Sequence, residues 1–351
     1  MRLISICVLL LSFVSCKKDE PLPCPESTAL ESGMLVLCEG LFQQNNSSVS
    51  FVDFTAGTVD NSFFVNRTGR QLGDTGNDMQ RYGGKIYVVV NISSTIEVLD
   101  ASTFGSIKQI PMINGTTAKQ PRSLAFSNGK VYVTCYDGFE DVIDTTSLTV
   151  TQRISVGANP EDLTISNNKL YVSNSGGLNA PLMDSTVSVV DLSTHLELQK
   201  ITVGLNPGAM ITDQFGDVYV IARGDYCAIP SRLVRIDASN DVVAEQFNFD
   251  ASGMAHFNDQ FLISYYDFGT SQSTVGLFDP STETMINTSF LDLSNVSTLY
   301  NVQFNVSDNQ VYVADAMSFT NSGYVRVFNA SGTYLSSYHV GLNPSKMVFY
   351  E

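Results

Sequence analysis

Short runs of β-branched and aromatic residues, each closed by Gly, Asn, Asp or Pro, follow one another along almost the whole chain. The stretch from Asn168 to Met210 shows the unit most clearly. Lys169-Leu170-Tyr171-Val172-Ser173 is followed by a Gly-rich gap and then by Ser185-Thr186-Val187-Ser188-Val189-Val190-Asp191. Gln199-Lys200-Ile201-Thr202-Val203 comes next, then Gly204-Leu205-Asn206-Pro207 and Met210-Ile211. Runs of this composition predict strands, and the residues between them predict turns. No window sustains the 3.6-residue apolar period of a helix.

The unit recurs. Its opening run returns as Ile86-Tyr87-Val88, Val131-Tyr132-Val133, Val218-Tyr219-Val220 and Val311-Tyr312-Val313, with weaker copies at Leu35-Val36-Leu37 and Phe261-Leu262-Ile263. The acid closing the second run returns as Asp53, Asp100, Asp144, Asp191, Asp237 and Asp279, with Asn329 last. Those positions are 47, 44, 47, 46, 42 and 50 residues apart. Gly-x-Asn-Pro returns at residues 157–160, 204–207 and 341–344. Seven copies at this period predict an all-β fold, a seven-bladed β-propeller with four-stranded antiparallel blades. The final run, Lys346-Met347-Val348-Phe349-Tyr350, follows the last Gly-Leu-Asn-Pro and has no blade of its own. It fits as the inner strand of the blade that begins at Gly33, so the N- and C-terminal strands share one blade and no sheet edge stays open.

The first 32 residues break the pattern. Residues 1–15 carry Arg2 and an apolar stretch too short to anchor stably across a bilayer, which reads as a leader. Phe13-Val14-Ser15-Cys16 resembles a bacterial lipobox, so Cys16 is the expected lipidation site. Residues 16–32, with Pro21, Pro23 and Pro25, read as a lipidated tether, extended and polar, and residues 33–351 as the propeller. Lys17-Lys18-Asp19-Glu20 is similar to the signal that sends Bacteroidetes lipoproteins to the outer face of the outer membrane. The expected address is therefore the cell surface, with the membrane reached through lipid.

Charge narrows the partners. Nineteen Lys and Arg stand against 35 Asp and Glu, a net charge of −16. That excludes a basic nucleic-acid footprint and electrostatic attachment to anionic lipid. Cys24, Cys38, Cys135 and Cys227 remain beyond the leader and Cys16, with no C-x-x-C and no zinc spacing. Cys38 and Cys135 suit buried strand positions as free thiols, and a Cys24–Cys38 bridge is open in an oxidising compartment.

Catalytic chemistry is sparse. No nucleophile elbow, zinc-hydrolase His pair or P-loop occurs, and the three histidines, His195, His256 and His339, lie far apart in sequence. His256, on an inner strand, is placed to face the axial channel. Asp74 and Asp78 flank a Gly-rich turn that suits either Ca²⁺ or simple turn chemistry. The chain has no Trp, so the Trp stacking and docking motifs of quinoprotein propellers and the Trp-ended Asp-box of sialidases are missing. The expectation is a protein without catalysis or cofactor.

What varies from blade to blade lies where inner strands begin and second strands end. Asn77, Asp78, Arg122, Tyr300 and Asn301 occupy the first set, and Tyr136, Asn174, Arg223 and Tyr266 the second. All nine are expected around one mouth of the channel. A mouth of amides, guanidinium groups and phenols suits a bulky ligand rich in amides or hydroxyls.

The runs Gly33-Met34-Leu35-Val36-Leu37-Cys38-Glu39-Gly40, Leu72-Gly73-Asp74-Thr75-Gly76-Asn77-Asp78-Met79-Gln80 and Tyr82-Gly83-Gly84-Lys85-Ile86-Tyr87-Val88-Val89-Val90-Asn91 resemble the YncE-like surface propeller lipoproteins of Bacteroidetes. Cys38 departs from the family's usual Asn. The resemblance implies a lipid-anchored surface propeller. Its BtuG-type members imply cobalamin or another corrinoid as ligand and a TonB-dependent outer-membrane transporter as partner. The alternative is a non-catalytic scaffold for protein–protein interaction at the cell surface.

Overall fold

The computed structural model describes residues 29–267 and 269–350, and the leader, Cys16, Cys24 and most of the tether lie outside them. Seven four-stranded antiparallel sheets follow in chain order. Blade 1 holds Gly33–Cys38, Ser48–Asp53 and Thr58–Asp60, with Pro344–Tyr350 as its inner strand. Blades 2 to 7 span 76–111, 121–155, 160–202, 207–247, 251–287 and 299–342. In each of these six the inner strand comes first and the outer strand last.

The ring closes as the repeat pattern requires. Pro344–Tyr350 pairs antiparallel with Gly33–Cys38, with Gly33 opposite Tyr350 and Met34 opposite Phe349. A side chain of blade 7 holds this inner strand from the other side. Gln303 Oε1 accepts from Met347 N at 2.7 Å, and its Nε2 donates to Met347 O at 3.0 Å.

The core lies between blades, because each sheet packs both faces against its neighbours. The repeated tyrosines Tyr87, Tyr132, Tyr171, Tyr219 and Tyr312 are all buried there. Three of them reach a polar partner at the periphery. The Tyr171 hydroxyl donates to Asp241 Oδ1 at 2.5 Å, Tyr312 to Asp308 Oδ2 at 2.5 Å, and Tyr132 lies 3.1 Å from His195 Nε2. One helix, Phe63–Thr68, escaped the periodicity reading because it is a single apolar turn and a half. It follows the three-residue outer strand of blade 1 and inserts Phe63 and Phe64 into the core beside Phe51 and Phe104. Gly69, with φ 72°, ends it.

The repeated acid closing each third strand has a local cause. Its Oδ1 accepts the backbone N–H two and three residues on, as Asp144 does from Thr146 and Ser147 and Asp191 from Ser193 and Thr194. Those hydrogen bonds hold Asp100, Asp191 and Asp279 below the ordinary carboxylate range. All of these turns point to the face away from the inter-blade linkers, so much of the acidity sits there. The linker Asn has a different cause. Asn159, Asn206 and Asn343 are left-handed, with φ 44°, 57° and 54°. Each turns its carbonyl toward the end of the second strand of the blade it leads into, where the backbone N–H groups of Ser175, Arg223 and Glu39 donate to it.

One core position breaks the repeat. Val49, Ile96, Val187, Leu233, Val275 and Val325 each stand four residues before the Asp or Asn that closes the third strand, and Glu140 stands there in blade 3. It is fully buried, and neither carboxylate oxygen has a hydrogen-bond partner among the described residues. Burial, helped by the neighbouring Asp141 charge, pushes its carboxyl well above the usual range.

Candidate functional site

The linkers and the loops between second and third strands crowd one face, and the nine residues singled out from the sequence lie on it. Their roles differ. In blades 2 to 5 the rim side chains bond to each other. Arg122 Nη1 donates to Asn77 Oδ1, Asn77 Nδ2 donates to the Arg122 carbonyl at 2.9 Å, and Arg122 Nη2 donates to Glu161 Oε1 at 2.7 Å. The Tyr136 hydroxyl donates to the other Glu161 oxygen, and the Arg122 guanidinium lies 4.8 Å above the Tyr136 ring. Arg223 Nη2 approaches Glu161 Oε1 at 3.5 Å. Burial alone would raise the Glu161 carboxyl, but Arg122 and Arg223 outweigh it and hold Glu161 at about 2. The same carboxylate keeps Arg122 protonated against its own burial. Burial pushes the Tyr136 phenol up.

Further in, Asp78 and Asp162 sit on the axis. Asp78 accepts from Met79 N at 2.9 Å and Leu124 N at 3.0 Å, and Asp162 from Ser123 Oγ at 2.7 Å and Met210 N at 3.0 Å. Lys346 Nζ is 4.0 Å from Asp78 Oδ1. Protein surrounds Lys346, yet water reaches it down the channel, since its side chain is 41% exposed. Burial opposes its charge, and Asp78, Asp162 and Glu39 together hold the ammonium above its ordinary range. Asp74 clamps a loop, accepting from Gln43 N and Asn45 N at 3.1 Å each.

Two of the nine are structural. Asn174 is fully buried and bonds Gly157 N, Thr186 Oγ1 and Ser188 Oγ, which fixes the linker to its own blade. Asn301 donates to the Ser345 carbonyl and ties blade 7 to blade 1. His256 is not in the mouth. It packs edge-on against Phe261 at 5.7 Å and borders a cavity of about 200 Å³ with Asp213 and Asp259 on the opposite face. The residue falls near the far end of its strand, Ala251–Phe257.

In blades 5 to 7 the rim is open. Tyr266 and Tyr300 are 39% and 38% exposed, and Phe319 stands edge-on to Tyr300 at 6.0 Å. Two cavities of about 330 and 360 Å³ share Ser252 and Tyr266. The first reaches from Arg223 and Tyr226 to Tyr266, and the second from Tyr266 to Tyr300, Asn301 and Phe319. The Tyr300 hydroxyl donates to Glu39 Oε2 at 2.6 Å. Burial raises the Glu39 carboxyl, opposed by that bond and by Arg122 and Lys346. Burial also raises the Tyr300 phenol. Arg223 lies flat across Gly208, where a Cβ would fall 2.4 Å from its Cζ. Tyr226 and Phe319 were not among the sequence candidates, whereas Glu39 stands at a second-strand end, in the same column as Tyr136 and Arg223. Tyr226 and Phe319 lie in loops of irregular length, where no column aligns them.

Fold and mouth together define a seven-bladed propeller with a polar, partly open axial face. The chain belongs to the family described as domain of unknown function (DUF5074), whose model matches residues 32–349. Among solved structures it is similar to a quinoprotein alcohol dehydrogenase-like protein from Bacteroides thetaiotaomicron, at 15% identity over 92% of this chain and 79% of that one, TM-score 0.66. Kuenenia stuttgartiensis hydrazine synthase matches at 14% identity over 75% of this chain and 85% of that one, TM-score 0.62. A computationally designed protein, Ika8, matches at 15% identity over 91% of each chain, TM-score 0.57. At these identities the likenesses concern the fold. No curated protein matches the chain.

Proposed function

We propose that the chain is a non-catalytic binding protein of the cell surface, anchored through lipid on Cys16. Its ligand is a bulky, uncharged, amide-rich small molecule, a corrinoid such as cobalamin, which it passes to a TonB-dependent outer-membrane transporter. The open half of the mouth carries this reading. There Arg223, Tyr266 and Tyr300 offer stacking area and hydrogen bonds beside two neighbouring cavities that share Ser252 and Tyr266. A neutral ligand also avoids repulsion from a strongly acidic chain. Loops of the same face carry the exposed apolar residues Phe42, Leu178, Leu182 and Phe319, which supports contact with a second protein there.

Equilibrium titration of the purified propeller with cyanocobalamin and cobinamide tests the proposal. Saturable one-to-one binding of either supports it. Absence of binding by both overturns the corrinoid reading and favours the scaffold alternative.

A further inference from the structure

We propose that the cavity walled by Tyr226, Ile229, Pro230 and Tyr266 seats a flat heteroaromatic ring of the benzimidazole or purine class, beside the axial mouth. Its volume of about 330 Å³ is at the small end of the range of about 300–1,000 Å³ usual for ligand pockets. It has room for a fused bicycle. Tyr226 is 66% exposed and Tyr266 39%, so both rings offer area to a ligand. Ile229, Pro230 and Ala251 add apolar surface. Arg223 and Asp250 also line the cavity and supply donors and an acceptor. The Arg223 guanidinium makes no hydrogen bond to another described residue beyond its loose approach to Glu161 at 3.5 Å. A free heterocycle with a ring nitrogen and a ring N–H meets both groups and a plain phenyl ring meets neither, whereas the base of a complete corrinoid, its ring N–H replaced by the glycosidic bond, meets the cavity through its faces against the tyrosines.

The wall exists before any ligand arrives. Asp225 Oδ1 accepts from Cys227 N at 2.9 Å and Ile229 N at 2.7 Å, and Asp225 N donates to Ile229 O at 3.2 Å. Gly224 has φ 72°, and a Cβ there would lie 1.9 Å from the Ile229 carbonyl oxygen. The loop 223–231 is thus closed on itself, and Gly208 leaves Arg223 room to lie across the strand start. A site preformed in this way loses little entropy on binding.

The seat deepens the corrinoid reading, and rests on it, only where it assigns the ring to the nucleotide base of a complete corrinoid. The test has two arms. In the first, 5,6-dimethylbenzimidazole and adenine are titrated by ligand-observed NMR against the parent, Tyr226→Asn and Ser252→Phe. Asn tolerates the left-handed backbone at 226 (φ 59°), and Phe fills the cavity without removing its walls. At least one ring is expected to bind the parent saturably and both variants about ten-fold more weakly. In the second arm, the parent is expected to prefer cyanocobalamin over cobinamide, which lacks the base, by about ten-fold. Tyr226→Asn is expected to bring that ratio close to one. Failure of both rings to bind the parent, or equal binding by parent and variants, overturns the proposal. If rings bind and neither corrinoid does, the seat stands and the corrinoid reading falls. If corrinoids bind without discrimination and rings do not, the seat falls and the corrinoid reading stands.

Discussion

The two halves of the mouth are built from the same columns of the repeat, yet they differ in how far their side chains are exposed. In blades 2 to 5, Asn77, Arg122, Tyr136 and Glu161 form one chain of hydrogen bonds and ion pairs. In blades 5 to 7, Tyr266, Tyr300 and Phe319 stand exposed around two cavities. A charge already paired in a partly buried site has little to offer a newcomer, because binding would first break the pair. An exposed aromatic with a polar tip offers area and a hydrogen bond at small cost. The first half shapes the rim, and the second is where the proposed ligand would sit.

The strand joining the halves gives the largest effect. Residues 344–350 lie between blade 7 and blade 2 and close blade 1. Deleting residues 345–351 exposes the edge of Gly33–Cys38 and is expected to yield aggregate, not a weakened monomer. Size-exclusion chromatography checks this, and a soluble monomer would contradict it.

Breaking the paired half comes next. Arg122→Ala leaves Glu161 partly buried with the Tyr136 hydroxyl and the looser Arg223 contact but no close cation, and is expected to destabilise by about 3 kcal/mol in denaturant unfolding. Tyr300→Ala, on the open side, is expected to cost under about 1 kcal/mol of stability. The ligand-binding effects run the other way. Tyr300→Ala and Arg223→Ala are each expected to weaken corrinoid binding by about 1–3 kcal/mol, read from calorimetric titration. Equal stability losses for Arg122→Ala and Tyr300→Ala would erase the distinction between the halves.

Glu140 sharpens the comparison from inside blade 3. Its folded carboxyl lies above its unfolded value, so the protonated form fits the core and ionisation does not. The stability it permits is complete below about pH 4, the ordinary Glu range, and is lost as pH rises through the raised folded value. Glu140→Leu, matching Leu233 of blade 5, is expected to flatten that slope and add about 1–3 kcal/mol at pH 8. Chemical denaturation at pH 5 and pH 8 checks it, and an unchanged slope would show that Glu140 finds a partner.

The propeller was legible because its causes are local and periodic. A buried Tyr, an Asp that caps a turn and a left-handed Asn before Pro each repeat wherever the same backbone geometry repeats. The shared blade followed from one surplus run after the last linker. The mouth was legible only as a location. Arg122 and Glu161 occupy neighbouring copies of one column, 39 residues apart, so their opposite charges were a readable sign of pairing. Asn174 looked like a rim amide because a column gives position but not direction; the structure turns it inward to the linker. Tyr226 and Phe319 sit in loops with no counterpart in other blades, and the repeat carries no signal for them.

Hydrogen exchange with and without saturating cyanocobalamin tests the central claim most directly. Protection is expected in residues 223–231, 264–273, 299–301 and 316–321, with 76–80, 121–123 and 136–138 unchanged. Protection centred on the Arg122 side, or on the acidic turns of the far face, would contradict it.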